Sequence, residues 1–182
     1  MSETVLVLTT GGTIDKQYFD SLSRYQITDT TVTKLLAVAR VTHPHQVEEV
    51  LRKDSIDLTD EDRARIVEHV TGASFSRIVM THGTDTMTLT ARALSAIPGK
   101  TIVLTGALAP SRFSESDAAF NLGMAFATAQ TALPGVYIAI NGSVFRADRV
   151  EKDRDRGCFV PKLDAPASGA SMSRVEPRNK SP

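Results

Sequence analysis

The sequence predicts a doubly wound α/β fold, a mostly parallel sheet with flanking helices in a single domain, and three observations carry that expectation. Four short runs, "VLVL" (5–8), "RIVM" (77–80), "TIVL" (101–104) and "GVYIAI" (135–140), are continuously apolar rather than alternating, as strands buried on both faces are. Segments of helical pattern lie between them. Each run ends in polar or glycine-rich sequence, and in sheets of this kind ligands bind beyond the carboxyl ends of the strands.

Taken in order, the first strand runs straight into "TTGGTIDK" (9–16), where Gly11 and Gly12 allow a sharp turn and close approach of a ligand. "LTDEDRARIVEHVTG" (58–72) is the clearest helix: Thr59 caps it, Asp62 occupies the capping-box position and Gly72 supplies a stop. "RIVM" leads into "THGTDTM" (81–87), a second strand end with the same arrangement as the first. "TMTLTARALSAIPG" (86–99), closed by Pro98 and Gly99, and "SDAAFNLGMAFATAQ" (116–130) read as two more helices. From 164 to 182 the text becomes "DAPASGASMSRVEPRNKSP", too poor in apolar residues to offset its ordering entropy. The expected division is a folded catalytic domain over 1–163 and a disordered tail over 164–182.

With 182 residues the chain suits one domain with a substantial core. Lysine plus arginine balance aspartate plus glutamate at 21 each, which argues against a nucleic-acid binder and for a small ligand. Cys158 is the single cysteine, so no intrachain disulfide can form. The start is acidic, and no run approaches the roughly 20 apolar residues of a membrane span. The expectation is a cytoplasmic protein without membrane attachment.

Two hydroxyls at strand ends carry the chemistry. Thr13 follows the glycine turn where a nucleophile would be useful, although an isolated GGT is more often only a turn. The lysine followed by serine or threonine of a phosphate loop is missing. Thr84 and Asp85 stand between a strand and a helix, where backbone N–H groups favour an anion and the aspartate a cation, so the pair suits a zwitterionic amino acid; a plain N-cap is the competing reading. A threonine needs a base. His43 and His45, in "THPHQ", read as a proline-rich loop pair with no third partner for a metal. His69 reads as a surface helix residue and His82 as a group that positions backbone. Lys152 lies in a charge run that would ordinarily be a solvated loop.

"TTGGTI" and "HGTDTM", in this order and each on a strand end, resemble the two signature motifs of the bacterial asparaginase/glutaminase family. "LTGALAP", "NLGMAFATA" and "AINGSVFRADRVEK" are similar to further segments, so the resemblance covers 5 to about 160. It implies hydrolysis of L-asparagine to aspartate and ammonia with no cofactor and no metal. It makes Thr13 the leading nucleophile and groups Thr84, Asp85 and Lys152 as a second triad, leaving open which threonine attacks first. It matches Tyr25 to the tyrosine of a mobile loop, with Tyr18 as the close rival. Ser55 corresponds to the serine that binds the α-carboxylate and Asp85 to the group that binds the α-amino group, with Gly12 and Gly83 completing the substrate-binding set. Oxyanion donors are expected among backbone N–H groups around Gly12 and Thr84.

Two departures stand out. Ile56 occupies a place where the family commonly has a polar residue, often glutamine, and it can neither donate nor accept a side-chain hydrogen bond. The usual second, C-terminal domain, which completes a neighbour's site, has no counterpart here, so the resemblance is to a short single-domain form. Exposed sheet edges then lead to an expected homo-oligomer. The alternatives are an amino-acid-binding sensor that kept the pocket and an ammonia-releasing subunit of an amidotransferase.

Overall fold

The continuous apolar runs become strands because both of their faces are covered. The computed structural model of the chain describes residues 3–162; the tail expected at 164–182 lies outside the described residues. In chain order, β1 (Val5–Thr9) leads through a 3-10 turn at Thr13–Asp15 into a hairpin of β2 (Lys16–Phe19) and β3 (Arg24–Ile27). There follow α1 (Val32–Val38), β4 (His45–Glu49), α2 (Asp60–Gly72), β5 (Arg77–Thr81), α3 (Met87–Leu94), β6 (Thr101–Thr105) and α4 (Ala118–Thr131). β7 (Gly135–Ile140), β8 (Ser143–Arg146) and a hairpin of β9 (Val150–Asp153) and β10 (Cys158–Pro161) complete the order. The main sheet runs β4-β1-β5-β6-β7-β8 and is parallel except for β8, which is antiparallel to β7.

Side chains alternate across this sheet and fill two apolar layers. From β1, Val5 and Val7 pack with Val32 and Leu36 of α1 and Leu122 and Phe126 of α4. Leu6 and Leu8 face the other way, toward Ile66 and Val70 of α2 and Met87 and Leu94 of α3. Each fully buried aliphatic of this size contributes roughly 1.5–3 kcal/mol relative to exposure, so these strands hold the sheet in place. The doubly wound expectation is met.

Local details differ from it in places. Thr59 and Asp62 form the expected capping box, each side chain bonding the other's backbone N–H. Gly72, however, is the last helical residue, and α2 ends because Ala73 turns to an extended conformation. α3 stops at Leu94, short of the Pro98 and Gly99 that were to close it, because the chain tightens into a turn in which Ile97 N donates to Leu94 O. His45 is not in a loop: it opens β4, whose edge position tolerates polar residues. The charge run around Lys152 likewise contains β9, paired with β10.

The order of the strands fixes where a ligand can sit. From β1 the chain moves outward to β4, then crosses back and lays β5 on the opposite side of β1. The connections after β1 and β5 therefore part in opposite directions, and a crevice opens between the carboxyl ends of these two strands.

Candidate active site

Thr13 and Thr84 both arrive at that crevice. Thr9 lies opposite Thr81 in the ladder, and Thr10 donates to Thr81 O from both its backbone N and its hydroxyl, the latter at 2.9 Å. The chain then turns at Gly11 and Gly12, with φ of 93° and 89°, a region that side chains rarely enter. Room is as restrictive as backbone angle. A Cβ on Gly12 would fall 2.5 Å from Gly83 N, and one on Gly83 would fall 2.6 Å from Ser55 Oγ. Three segments thus meet at Gly12, Gly83 and the Ser55 side chain, with no room for a side chain on either glycine, and Thr13 stands half-buried just past the contact.

On the far side of Gly83, the Lys152 ammonium donates to Thr84 Oγ1 at 2.8 Å and to Asp85 Oδ1 at 2.6 Å. Thr84 is buried, Lys152 largely so, and Asp85 is about half exposed. β9 delivers the lysine from 67 residues along the chain, held by its backbone pairing with Phe159. The three groups expected to form a triad are in one place.

Ser55 sits in a 3-10 turn at Ser55–Asp57. Its carbonyl accepts from Thr86 Oγ1 at 2.7 Å, which ties the turn to the loop before α3. Its hydroxyl is buried and, among the described residues, has no partner. An unmade hydrogen bond at a buried hydroxyl costs about 1–3 kcal/mol, and the Thr9 and Thr81 hydroxyls nearby are in the same condition. Ile56 is exposed. Tyr18 and Tyr25 face each other across the β2–β3 hairpin with centroids 5.2 Å apart, and Tyr25 also packs on Phe113. Among the described residues no hydrogen bond joins either hydroxyl to Thr13, so the hairpin presents the two tyrosines as a pair without choosing between them.

The histidines take structural places. His43 Nε2 meets Glu3 O and His45 Nδ1 meets His43 O, both at 2.9 Å, and both rings stand edge-on to Phe126. His69 bonds Glu48 at the surface. His82 is buried, with Nδ1 at 2.7 Å from Gly83 O and Nε2 at 2.8 Å from Thr90 Oγ1. A carbonyl can only accept, so Nδ1 carries the proton and Nε2 accepts from Thr90. Burial lowers its pKa from 6.5 to about 4, against the opposing bond to Gly83. His82 therefore acts as a neutral strut behind the Gly83–Thr84 peptide.

That strut gives the fold a pH dependence. Between pH 6.5 and about 4 the unfolded chain binds a proton that folded His82 refuses, so this contribution is intact above 6.5 and falls away as pH drops, by about 3 kcal/mol in all. Asp15 acts in the opposite sense: burial raises its pKa, partly offset by bonds from Thr31 and Thr30, so its protonation favours the folded state as pH falls. Urea unfolding should show stability declining from pH 6.5 to 5, and His82→Gln, less stable throughout, should lose that part of the slope. A slope unchanged by the substitution would contradict the buried neutral ring.

Sequence reasoning missed the groups that hold the loop after β6. Ser116 Oγ accepts from Ala118 N at the start of α4, which frees the Asp117 carboxylate to accept from Leu108 N and Ala109 N at 3.0 Å. Buried Asn121 donates to Gly106 O and to Asp117, and accepts from Asn141 N. The Ser-Asp pair ahead of a helix is the sequence signal, but it reads as an ordinary cap. Among the described residues no helix is long and apolar enough to cross a membrane.

Comparison with known proteins identifies the family. The family model for the asparaginase N-terminal region matches residues 4–159. The L-asparaginase of Thermococcus kodakarensis is 32% identical over 159 residues, which are 84% of this chain and 48% of that protein. The glutaminase-asparaginase of Acinetobacter glutaminasificans is 32% identical over 162 residues, 81% of this chain and 49% of that one. The solved structure of the thermostable L-asparaginase from Thermococcus kodakarensis superposes with a TM-score of 0.77 at 31% identity, covering 87% of this chain and 51% of that one. The chain spans about half the length of these relatives. Signature loops, fold and these matches agree: the chain belongs to the asparaginase family.

Proposed function

We propose that this chain hydrolyses the side-chain amide of L-asparagine to aspartate and ammonia, with Thr13 as nucleophile. One observation supports the reading above all others: a largely buried lysine bonded to both Thr84 and Asp85 at the strand ends where the Thr13 loop also arrives.

Ser55 Oγ receives the substrate α-carboxylate and Asp85 the α-ammonium. Lys152, bonded to both Asp85 and Thr84, stands beside the bound ammonium and is the positioned proton-transfer group on this side of the site. Thr13 Oγ1 adds to the amide carbon while its proton passes through a hairpin tyrosine hydroxyl to the amide nitrogen, and backbone N–H groups around Gly12 and Thr84 hold the developing oxyanion. The C–N bond breaks, the nitrogen leaves protonated as ammonia, and an aspartyl ester remains on Thr13. Water then attacks the ester beside Thr84 and Lys152, its hydroxyl joining the acyl carbon and its proton returning to Thr13 Oγ1, which releases aspartate. No resident cofactor enters these steps.

The same anchoring sets substrate choice. Ser55 and Asp85 fix the α-carbon, so the extra methylene of glutamine displaces its amide from Thr13, and errors of about an ångström in such geometry cost on the order of a hundredfold. Steady-state ammonia release should give a higher kcat/KM for asparagine. Equal values for the two amides, or no release from either, would contradict the reading.

A further inference from the structure

We propose that Asp15 is a positioning residue for this site: its buried carboxylate seats the β2–β3 hairpin beside Thr13. The catalytic part of the proposal rests on the reading of Thr13 and the hairpin tyrosines given above.

The hairpin has few means of holding its place. β2 and β3 pair only with each other and are not hydrogen-bonded to the main sheet, and an isolated two-stranded hairpin is marginal in water. An ion pair from Lys16 to Asp54 at 2.6 Å and the packing of Tyr25 on Phe113 touch it from outside. Its base is different. Asp15, two residues after Thr13, closes the 3-10 turn from which β2 departs, and Thr28 to Thr31 follow directly on β3.

These two stretches are knotted together through Asp15. The backbone N and the hydroxyl of Thr28 both donate to Asp15 O, at 3.0 and 3.2 Å. Asp15 Oδ1 accepts from Thr31 N at 2.8 Å and from the hydroxyls of Thr30 and Thr31 at 3.2 Å. The Thr31 hydroxyl is 2.6 Å from Ser111 Oγ, and Ser111 N donates to Ile14 O. Asp15 is 1% exposed, and among the described residues no lysine, arginine or histidine pairs with it. A buried carboxylate held only by hydroxyl and amide donors is an expensive way to fill space, yet here it joins the turn bearing Thr13 to the segment that returns from the tyrosine hairpin.

All three side-chain bonds converge on Oδ1, which makes the proposal sharp. An acceptor is needed and a charge is not. Asp15→Leu removes the acceptor at similar size; Asp15→Asn keeps it. The experiment compares both with wild type in kcat and KM for ammonia release from L-asparagine. It also measures the rate of trypsin cleavage after exposed Arg24, at a temperature where circular dichroism shows every variant folded. Asp15→Leu is expected to be cut at least about tenfold faster, because cleavage follows local opening. Its kcat/KM should fall by on the order of a hundredfold through misplaced reacting groups, and Asp15→Asn should restore both readouts nearly to wild type. If Asp15→Leu does not fold, Thr30→Val, which removes one of the three donors, should shift both readouts in the same direction by about threefold. Wild-type cleavage and kinetics in folded Asp15→Leu, or in Thr30→Val, would overturn the proposal, as would an Asp15→Asn variant as impaired as the leucine. A wild-type protein that releases no ammonia would instead defeat the proposed function, while the cleavage rates would still decide whether Asp15 seats the hairpin.

Discussion

Lys152→Met is expected to reduce turnover of L-asparagine by about a hundred- to ten-thousand-fold, the range over which a positioned proton-transfer group acts, with an unchanged far-UV circular dichroism spectrum. Methionine keeps the apolar stem of the lysine and removes the group that touches Thr84 and Asp85. The fold should tolerate the change. Asp85, left without its cation, is about half exposed and can be satisfied by water, and ion pairs open to solvent contribute little to stability. Thr84→Val should be similarly inactive, whereas Thr84→Ser, which keeps the hydroxyl, should retain part of the activity. A folded Lys152→Met variant with most of the wild-type rate would return this residue to the solvated charge run in which it is written.

The second large effect is expected from a single added methyl group. In Gly12→Ala the new Cβ would sit 2.5 Å from Gly83 N and 2.6 Å from Gly83 Cα, both backbone atoms with no flexible end to swing aside. The residue would also be forced to remain at a φ of 89°, at a cost on the order of 1–3 kcal/mol. The two signature loops must therefore move apart, and a displacement of about an ångström between Thr13 and the amide carbon costs on the order of a hundredfold in rate. Gly142→Ala separates strain from collision. Gly142 has a φ of 76° but open space around its Cα, so that variant should lose a comparable amount of stability and keep its activity. Equal activity in the two alanine variants would show that the contact between Gly12 and Gly83 does not hold the site together.

What could be read from the sequence follows from which physical signals are local. The four central strands are continuous apolar runs because both faces are covered, and α2 carries its own start signal in Thr59 and Asp62. The β2–β3 hairpin has no such mark. "KQYF" and "RYQI" mix polar and aromatic residues because neither strand is buried by the main sheet, and the turn between them lacks glycine, with Ser23 itself in the left-handed region. β4 was hidden for a related reason: as an edge strand it can be written "HQVEE".

The site divides the same way. Thr13, Thr84 and Asp85 were legible because glycines and hydroxyls directly after buried strands are unusual and local. Lys152 could be named as a candidate base, but only the resemblance gave it a place in a triad, since its own surroundings read as a charged loop and its contact with Asp85 spans 67 residues of chain. Asp15 passed unremarked in "GGTIDK", because nothing in the local text says that a carboxylate there would be buried, or that Thr30 and Thr31 would come back to meet it.

Covalent catalysis by Thr13 is tested most directly by quenching the wild-type protein with acid during turnover of L-asparagine, digesting it with trypsin and locating any aspartyl ester by mass spectrometry. The two threonines fall on different peptides, one ending at Lys16 and the other running from Ile78 to Arg92. The ester is expected on the peptide ending at Lys16. An ester on the peptide that carries Thr84, or ammonia release with no ester on either, would contradict Thr13 as the nucleophile.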